Sequence, residues 1–265
     1  MPRLTESELL EKYIPFNKPV PYKNFEIYPI CLYDFYDVQD ILAILEVDKN
    51  ILGQIEFISM SNLRFILYVA YNEDKYQKQL DVLLRKVLRI SDEYEIQFYA
   101  DDKTEKLRIG KVLNVIQGHV ILDDNTALTI SADDFDEIRR IILYQNILDY
   151  TDRYIDPDVR KTVDDYYRLK SKDSKNVPLE HKMICVQSKT GMSIESIGKL
   201  TIRNFLQLFS IIVEESEYTA LKLAECNGIK FKTPIEHWAY KARKDKYSEA
   251  FCDADSFINE VQSAN

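Results

Sequence analysis

A chain of 265 residues with 46% hydrophobic and 30% charged residues has the balance of a folded protein, and its length admits one large domain or two unequal ones. Six glycines against 18 Tyr and 12 Phe favour packed helices over glycine-rich sheets or phosphate-cradling loops. A net charge of -9, spread along the chain, disfavours wrapping a nucleic-acid backbone, and no run nears the ~18 apolar residues that span a bilayer, so neither nucleic acid nor membrane is an expected partner.

Residues 15–31 carry four prolines among β-favouring aromatics, so they read as an extended arm with one short strand around Phe25 to Tyr28. From Tyr33 to Val47 the spacing of Phe35, Val38, Ile41, Leu42 and Leu45 predicts an amphipathic helix. Ser59 or Ser61 can cap a second helix with Leu63, Ile66, Leu67 and Ala70 inward, and a third runs from about Asp74 to Ile90. The period then changes. Glu95 to Tyr99 and Leu107 to Val115 alternate around a polar turn, and His119 to Leu122 and Ala127 to Ile130 flank Asp123-Asp124-Asn125, predicting two β-hairpins.

Helical pattern resumes at Ser131, a good cap, and runs to about Tyr150. Pro157 opens a helix with Val159, Val163, Tyr166, Tyr167 and Leu169 on its apolar side, followed by a polar linker at Lys170 to Asn176. Short helices are expected at Leu179 to Gln187 and Ile194 to Lys199. Thr201 caps a long one ending at Asn227-Gly228, and a weak last helix is expected near Asp255 to Val261. The expected fold is α+β, mainly α. Its organisation is an arm (1–32), a helical body (33–92 and 132–170), an inserted antiparallel β-hairpin module (93–131) and a C-terminal helical region (177–265).

No GxGxxG, GxxxxGKS/T or GxSxG pattern is present, and the three histidines, His119, His181 and His237, read as surface or packing residues. The acidic pairs, among them Asp123-Asp124, Asp156 with Asp158, and Asp134 with Asp136, sit at turns and helix starts, where carboxylates accept backbone N–H groups without needing an ion. The cysteines Cys31, Cys185, Cys226 and Cys252 form no CxxC pair and fit reduced thiols in a cytoplasmic protein. The lysines and arginines from Lys230 to Lys246 are interleaved with acids and read as a solvated face. No catalytic, cofactor or metal residue is expected, so the chain reads as a non-enzymatic binder of other proteins. Its candidate contact residues are the aromatics Tyr22, Phe25, Tyr28, Tyr99 and Trp238. Docking of the arm aromatics within the chain is the simpler use for them.

Two stretches carry a resemblance. VPYKNFEIYPICLYDFYDV (20–38) with FISMSNLRFIL (57–67) resembles the N-terminal part of a group of tail-region proteins of tailed phages infecting Gram-positive bacteria. TGMSIESIGKLTIRNFLQLF (190–209) with ALKLAECNGIKFKTPIEHW (220–238) resembles their C-terminal helical part. Those proteins are described as tail or baseplate-hub assembly proteins or chaperones. The resemblance implies partners among tail, tape-measure or baseplate components, and a place in the host cytoplasm or on the virion tail. The β module (93–131) and residues 132–175 carry no such resemblance. Two other readings stand beside this one: a phage-encoded modulator of a bacterial defence system acting through the β module, and a metal-dependent nuclease using Asp134 and Asp136.

Overall fold

The computed structural model describes residues 3–100, 105–116, 119–125, 127–173, 177–240 and 247. The chain divides into two compact units, Met1–Tyr150 with Gly198–Phe205, and Thr151–Ile197 with Leu206–Asn265. The fold is α+β and mainly α.

The first unit opens with α1 (Glu6–Glu8), continued by a wider turn at Leu9–Tyr13 and a 3₁₀ turn at Ile14–Phe16. Thr5 and Glu8 close a capping box, the Thr5 hydroxyl accepting the Glu8 N–H at 3.2 Å and Glu8 accepting the Thr5 N–H at 3.0 Å. Strands β1 (Val20–Tyr22) and β2 (Phe25–Ile27) then pair antiparallel. Residues 6–16 are therefore helical and not part of an extended arm, while β2 stands where a short strand was expected around Phe25 to Tyr28. Leu9, Ile14, Val20, Ile27 and Ile30 are buried in the main core, because removing those side chains from water outweighs the weak local propensity of a proline-rich stretch.

Helix α2 (Phe35–Glu46) buries Val38, Ile41, Leu42 and Leu45, as its spacing predicts. A short α3 (Ile55–Ser59) leads to α4 (Asn62–Asn72), where the Ser61 hydroxyl accepts the Arg64 N–H at 3.0 Å, and then to α5 (Asp74–Leu88), which buries Leu80, Leu83, Leu84 and Val87. Gln79 of α5 braces α2, accepting the Ile41 N–H at 3.0 Å and donating to Asp40 at 3.2 Å. Arg89 ends α5 in the left-handed region, φ 53°, and turns the chain into the sheet.

The sheet is organised on one long strand. β3 (Tyr94–Ala100) pairs with the first half of β4 (Glu105–Ile116), while β5 (His119–Leu122) pairs with its second half and β6 (Leu128–Ser131) with Lys106 to Ile109. The expectation of a β5–β6 hairpin is corrected here. Both strands lie antiparallel to β4, as two segments of one interrupted strand, and Asp123-Asp124-Asn125 forms the interruption. Its Asx turn, Asp123 Oδ1 accepting the Asn125 N–H at 3.0 Å, is the turn chemistry that the sequence shows, used without reversing the chain. Gly110 makes room for it, since a Cβ there would stand 3.2 Å from Ala127 Cα. β4 also carries a bulge at Leu113, where the register with β5 shifts.

Helix α6 (Ala132–Asn146) follows directly, the Ser131 hydroxyl accepting the Asp134 N–H at 3.2 Å. Phe135, Ile138, Ile141, Ile142, Leu143 and Tyr144 are all buried, so α6 is the central element of this unit. Its buried amides knit distant segments together. Asn146 Oδ1 accepts the Ile30 N–H at 3.0 Å, and Gln145 Nε2 donates to Ile27 O at 2.9 Å. Residues 198–205 return to this unit: Leu200 O accepts the Leu32 N–H at 2.8 Å, and Arg203 donates to Tyr144 O and Ile147 O at 3.1 and 2.6 Å.

The second unit contains α7 (Pro157–Asp173), α8 (Leu179–Thr190), α9 (Ile194–Gly198), most of α10 (Ile202–Cys226) and a 3₁₀ turn at Trp238–Tyr240. α7 continues to Asp173, into the stretch read as a polar linker, because Lys and Leu are good helix formers even without burial. Gly191 at φ 73° stops α8, its N–H bonding Gln187 O at 2.8 Å. Val186, Ile197, Ile212 and Tyr247 are buried, and the Tyr247 hydroxyl donates to Asp164 at 2.8 Å. The expected helix at Asp255 to Val261 lies outside the described residues.

Candidate functional site

The sheet and α5 together build the most distinctive surface of the first unit. Tyr94 sits opposite Lys111 in the β3–β4 register. The Tyr94 N–H bonds Ser91 O at 3.0 Å, the Tyr94 carbonyl accepts from Arg85 at 2.9 Å, and Lys111 O accepts the Asp123 N–H at 2.9 Å. Both members of this pair thus turn their main-chain groups away from each other. In an antiparallel ladder that orientation repeats every second residue, so the N–H and C=O of Ile96 and Phe98 also point to the outer edge of β3. β3 is the end strand of the sheet, and among the described residues nothing pairs along that edge beyond Tyr94.

Beside this edge runs α5. Between them lies an open groove of about 1140 Å³, larger than the ~1,000 Å³ upper range of ordinary small-molecule pockets. It is lined by Gln77, Lys78, Asp81, Val82 and Arg85 on α5 and Glu95 to Tyr99 on β3, together with Tyr71 of α4 and Val120 of β5. Arg85 closes one end by bonding Asp81 at 2.8 Å and Tyr94 O, with Glu95 at 3.8 Å. Lys78 has no hydrogen-bond or ion-pair partner among the described residues. Tyr71 and Tyr99 are both exposed.

The far half of the sheet curls back over the same region. Gln97 faces Arg108 in the register and Val120 faces Val115, seven residues apart along β4, which would be about 23 Å in a flat sheet. Yet Gln97 Nε2 donates to Val120 O at 2.6 Å. The bulge at Leu113 permits that bend. The β4–β5 hairpin leaves Val112, Leu113, Val115 and Ile121 exposed, Leu113 by 69%.

No family model matches the chain, and no curated protein or solved structure matches it.

The five aromatics singled out from the sequence are not brought together. Tyr22 is part-buried and its hydroxyl donates to Asp134 at 2.8 Å; burial, and then that bond, push its pKa well above the usual tyrosine value. Phe25 packs against the main core. Tyr28 donates to Glu26 at 2.6 Å under the Arg89 guanidinium, 4.7 Å from the ring centre. Tyr99, 39% exposed, lines the groove with Lys106 and Arg108 near its ring. Trp238 lies in the second unit, stacked on His237 at 5.5 Å.

The acidic candidates are engaged by neighbours. The Asp134 carboxylate accepts from Tyr22 and Lys23, and its N–H donates to the cap Ser131, whose hydroxyl also acts on the carboxylate. Burial, the largest single influence, raises its pKa, but these three bonds and the Lys23 charge outweigh it and leave the carboxyl below the usual range. Asp136 accepts from Asn62 at 2.8 Å. Among the described residues no three His, Cys, Asp or Glu side chains gather in a metal-holding group, and no helix is long and apolar enough to cross a membrane. Cys31 and Cys185 are part-buried and Cys226 is exposed; burial pushes the Cys31 thiol up. The basic positions Lys241, Arg243, Lys244 and Lys246 lie outside the described residues.

The sequence did not single out Ile96 and Phe98, whose outward main-chain groups have no partner among the described residues. The signal that could have found them is the alternation of Glu95 to Tyr99 taken with strand order, and strand order is a long-range property.

Proposed function

We propose that this chain is a non-enzymatic protein-binding factor, working in phage tail or baseplate assembly as a chaperone or minor structural component. One observation supports binding: the β4–β5 hairpin leaves Val112, Leu113, Val115 and Ile121 exposed, with Val112 and Val115 on one face of the ladder and Ile121 on the other. Large apolar side chains clustered on one exposed hairpin are unfavourable in water and mark a protein-contact surface. The phage setting rests on the resemblance of residues 20–38, 57–67, 190–209 and 220–238 to tail-region proteins. Co-expression with tail, tape-measure and baseplate components should yield a complex with one of them. The double change Val112→Asp and Val115→Asp should abolish it while leaving the far-UV circular dichroism unchanged, because both side chains face solvent. No complex with any such component, normal tails in a deletion strain and absence from virions would together sink the tail setting. A complex with a defence protein alone would replace that setting and leave protein binding standing.

A further inference from the structure

Main-chain groups on a strand edge accept one kind of occupant well. Each outward N–H and C=O pair recurs every second residue, about 6.7 Å along the strand, and another extended backbone presents the complementary pair at the same interval. Along β3 the first such pair, at Tyr94, is already taken by Ser91 and Arg85. The next two, at Ile96 and Phe98, have no protein partner among the described residues. Ile96 belongs to the main core and also lines the groove, so the groove is where an occupant would meet its outward main-chain groups.

The dimensions of the groove agree. Its two basic side chains on α5, Arg85 and Lys78, are seven helical residues apart, about 10 Å. That length holds three to four residues of extended chain at roughly 3.3 Å each. The charges are uneven along it. Arg85 faces two carboxylates, Asp81 at 2.8 Å and Glu95 at 3.8 Å, which leaves that end net negative, whereas Lys78, which lines the groove with Tyr71 and Tyr99, has no ion-pair partner among the described residues. A carboxylate on the incoming chain would find its partner at Lys78, in a groove also lined by Tyr71 and Tyr99, tyrosines being enriched at protein contacts.

We propose that the outer edge of β3 takes up a short extended segment of a partner protein as an added strand, held by the main chain of Ile96 and Phe98, with an acidic side chain of that segment against Lys78. The inference rests on the protein-binding reading above and names a different surface from the apolar hairpin. The segment has no proline at its pairing positions, since its own N–H groups must donate to β3.

The test uses the full-length protein and a random hexapeptide library displayed for selection. Enriched peptides should carry Asp or Glu and lack central proline, and adding one of them should slow amide hydrogen exchange at Ile96 and Phe98 while leaving Glu95 and Gln97, already bonded within the sheet, little changed. Phe98→Pro removes the outward donor without touching the β3–β4 ladder, and Phe98→Ala controls for loss of the ring. The proline variant should bind roughly tenfold more weakly than the alanine variant, about the effect of one hydrogen bond. Lys78→Glu should reverse the charge preference of the selected peptides. Absence of enrichment, or binding that leaves the two amides unprotected, overturns the proposal. If Phe98→Pro does not fold, the amide protection in the unaltered protein decides. A tail-protein complex in which Ile96 and Phe98 still exchange freely would overturn strand addition and leave the protein-binding reading intact; peptide binding at β3 without any tail partner would uphold strand addition and overturn the tail setting alone.

Discussion

The two units use their apolar residues differently. In the first, α6 presents almost every apolar side chain to a closed core and adds buried amides that tie it to residues 27–30. In the second, α7 exposes Val159, Tyr166 and Leu169, the side that its pattern marks as apolar, and α10 exposes Ile211, Leu221 and Leu223. A helical period marks an amphipathic helix in both, but only packing decides whether its face leaves water. Stability should therefore be concentrated in the first unit.

The largest expected contrast lies between Phe135 and Leu223. Phe135→Ala should cost about 3–5 kcal/mol in urea unfolding followed by far-UV circular dichroism. Leu223→Ala, on an exposed face, should stay within about 0.5 kcal/mol. Equal costs would abolish the contrast. Trp238, the only tryptophan, lies in the second unit, so its fluorescence reports that unit separately.

Removing a buried polar tie comes next. Asn146→Ala leaves the Ile30 N–H unmet and should cost about 1–3 kcal/mol, with faster amide exchange at Ile30. Loss of the α6 cap in Ser131→Ala should cost about 1 kcal/mol, visible as a lower melting temperature.

The smallest effect is the most diagnostic of the hairpin–helix contact. Asp134 has a depressed native pKa, so its ionised form is favoured by folding. That contribution is complete above the ordinary aspartate value of about 3.9 and is lost as pH falls through the depressed native value. Asp134→Asn should cost about 0.5–1 kcal/mol at neutral pH, and the gap to the unaltered protein should close on acidification. A gap that persists at the acid end would mean that the charge is not what matters.

Much of the helical layout was legible because local chemistry and burial agree: the Ser61 and Ser131 caps, the apolar spacing of α2 and α5, and the Asn227-Gly228 stop all appear where the residues place them. The N-terminal residues were less legible. Their prolines dominate the pattern, while the Thr5 to Glu8 capping box that announces α1 is only four residues long. The turn at Asp123 was recognised but its consequence was not, because an Asx turn fixes two residues and the strand partner is fixed by β4, over ten residues away. Of the five aromatic candidates, Tyr99 alone lines the groove, since aromatic character cannot distinguish a ring that packs inward from one that faces a partner.

The return of residues 198–205 to the first unit carries a consequence for synthesis on the ribosome. The Leu32 N–H and the carbonyls of Tyr144 and Ile147 wait for Leu200 and Arg203, which emerge roughly 55 residues after Tyr150. At about 5–20 residues per second that is a delay of some 3–11 seconds, during which the nascent first unit stands open at that end. A chain stalled before Gly198 should be more readily cleaved by protease at 28–34 and 144–150 than one stalled well after Phe205.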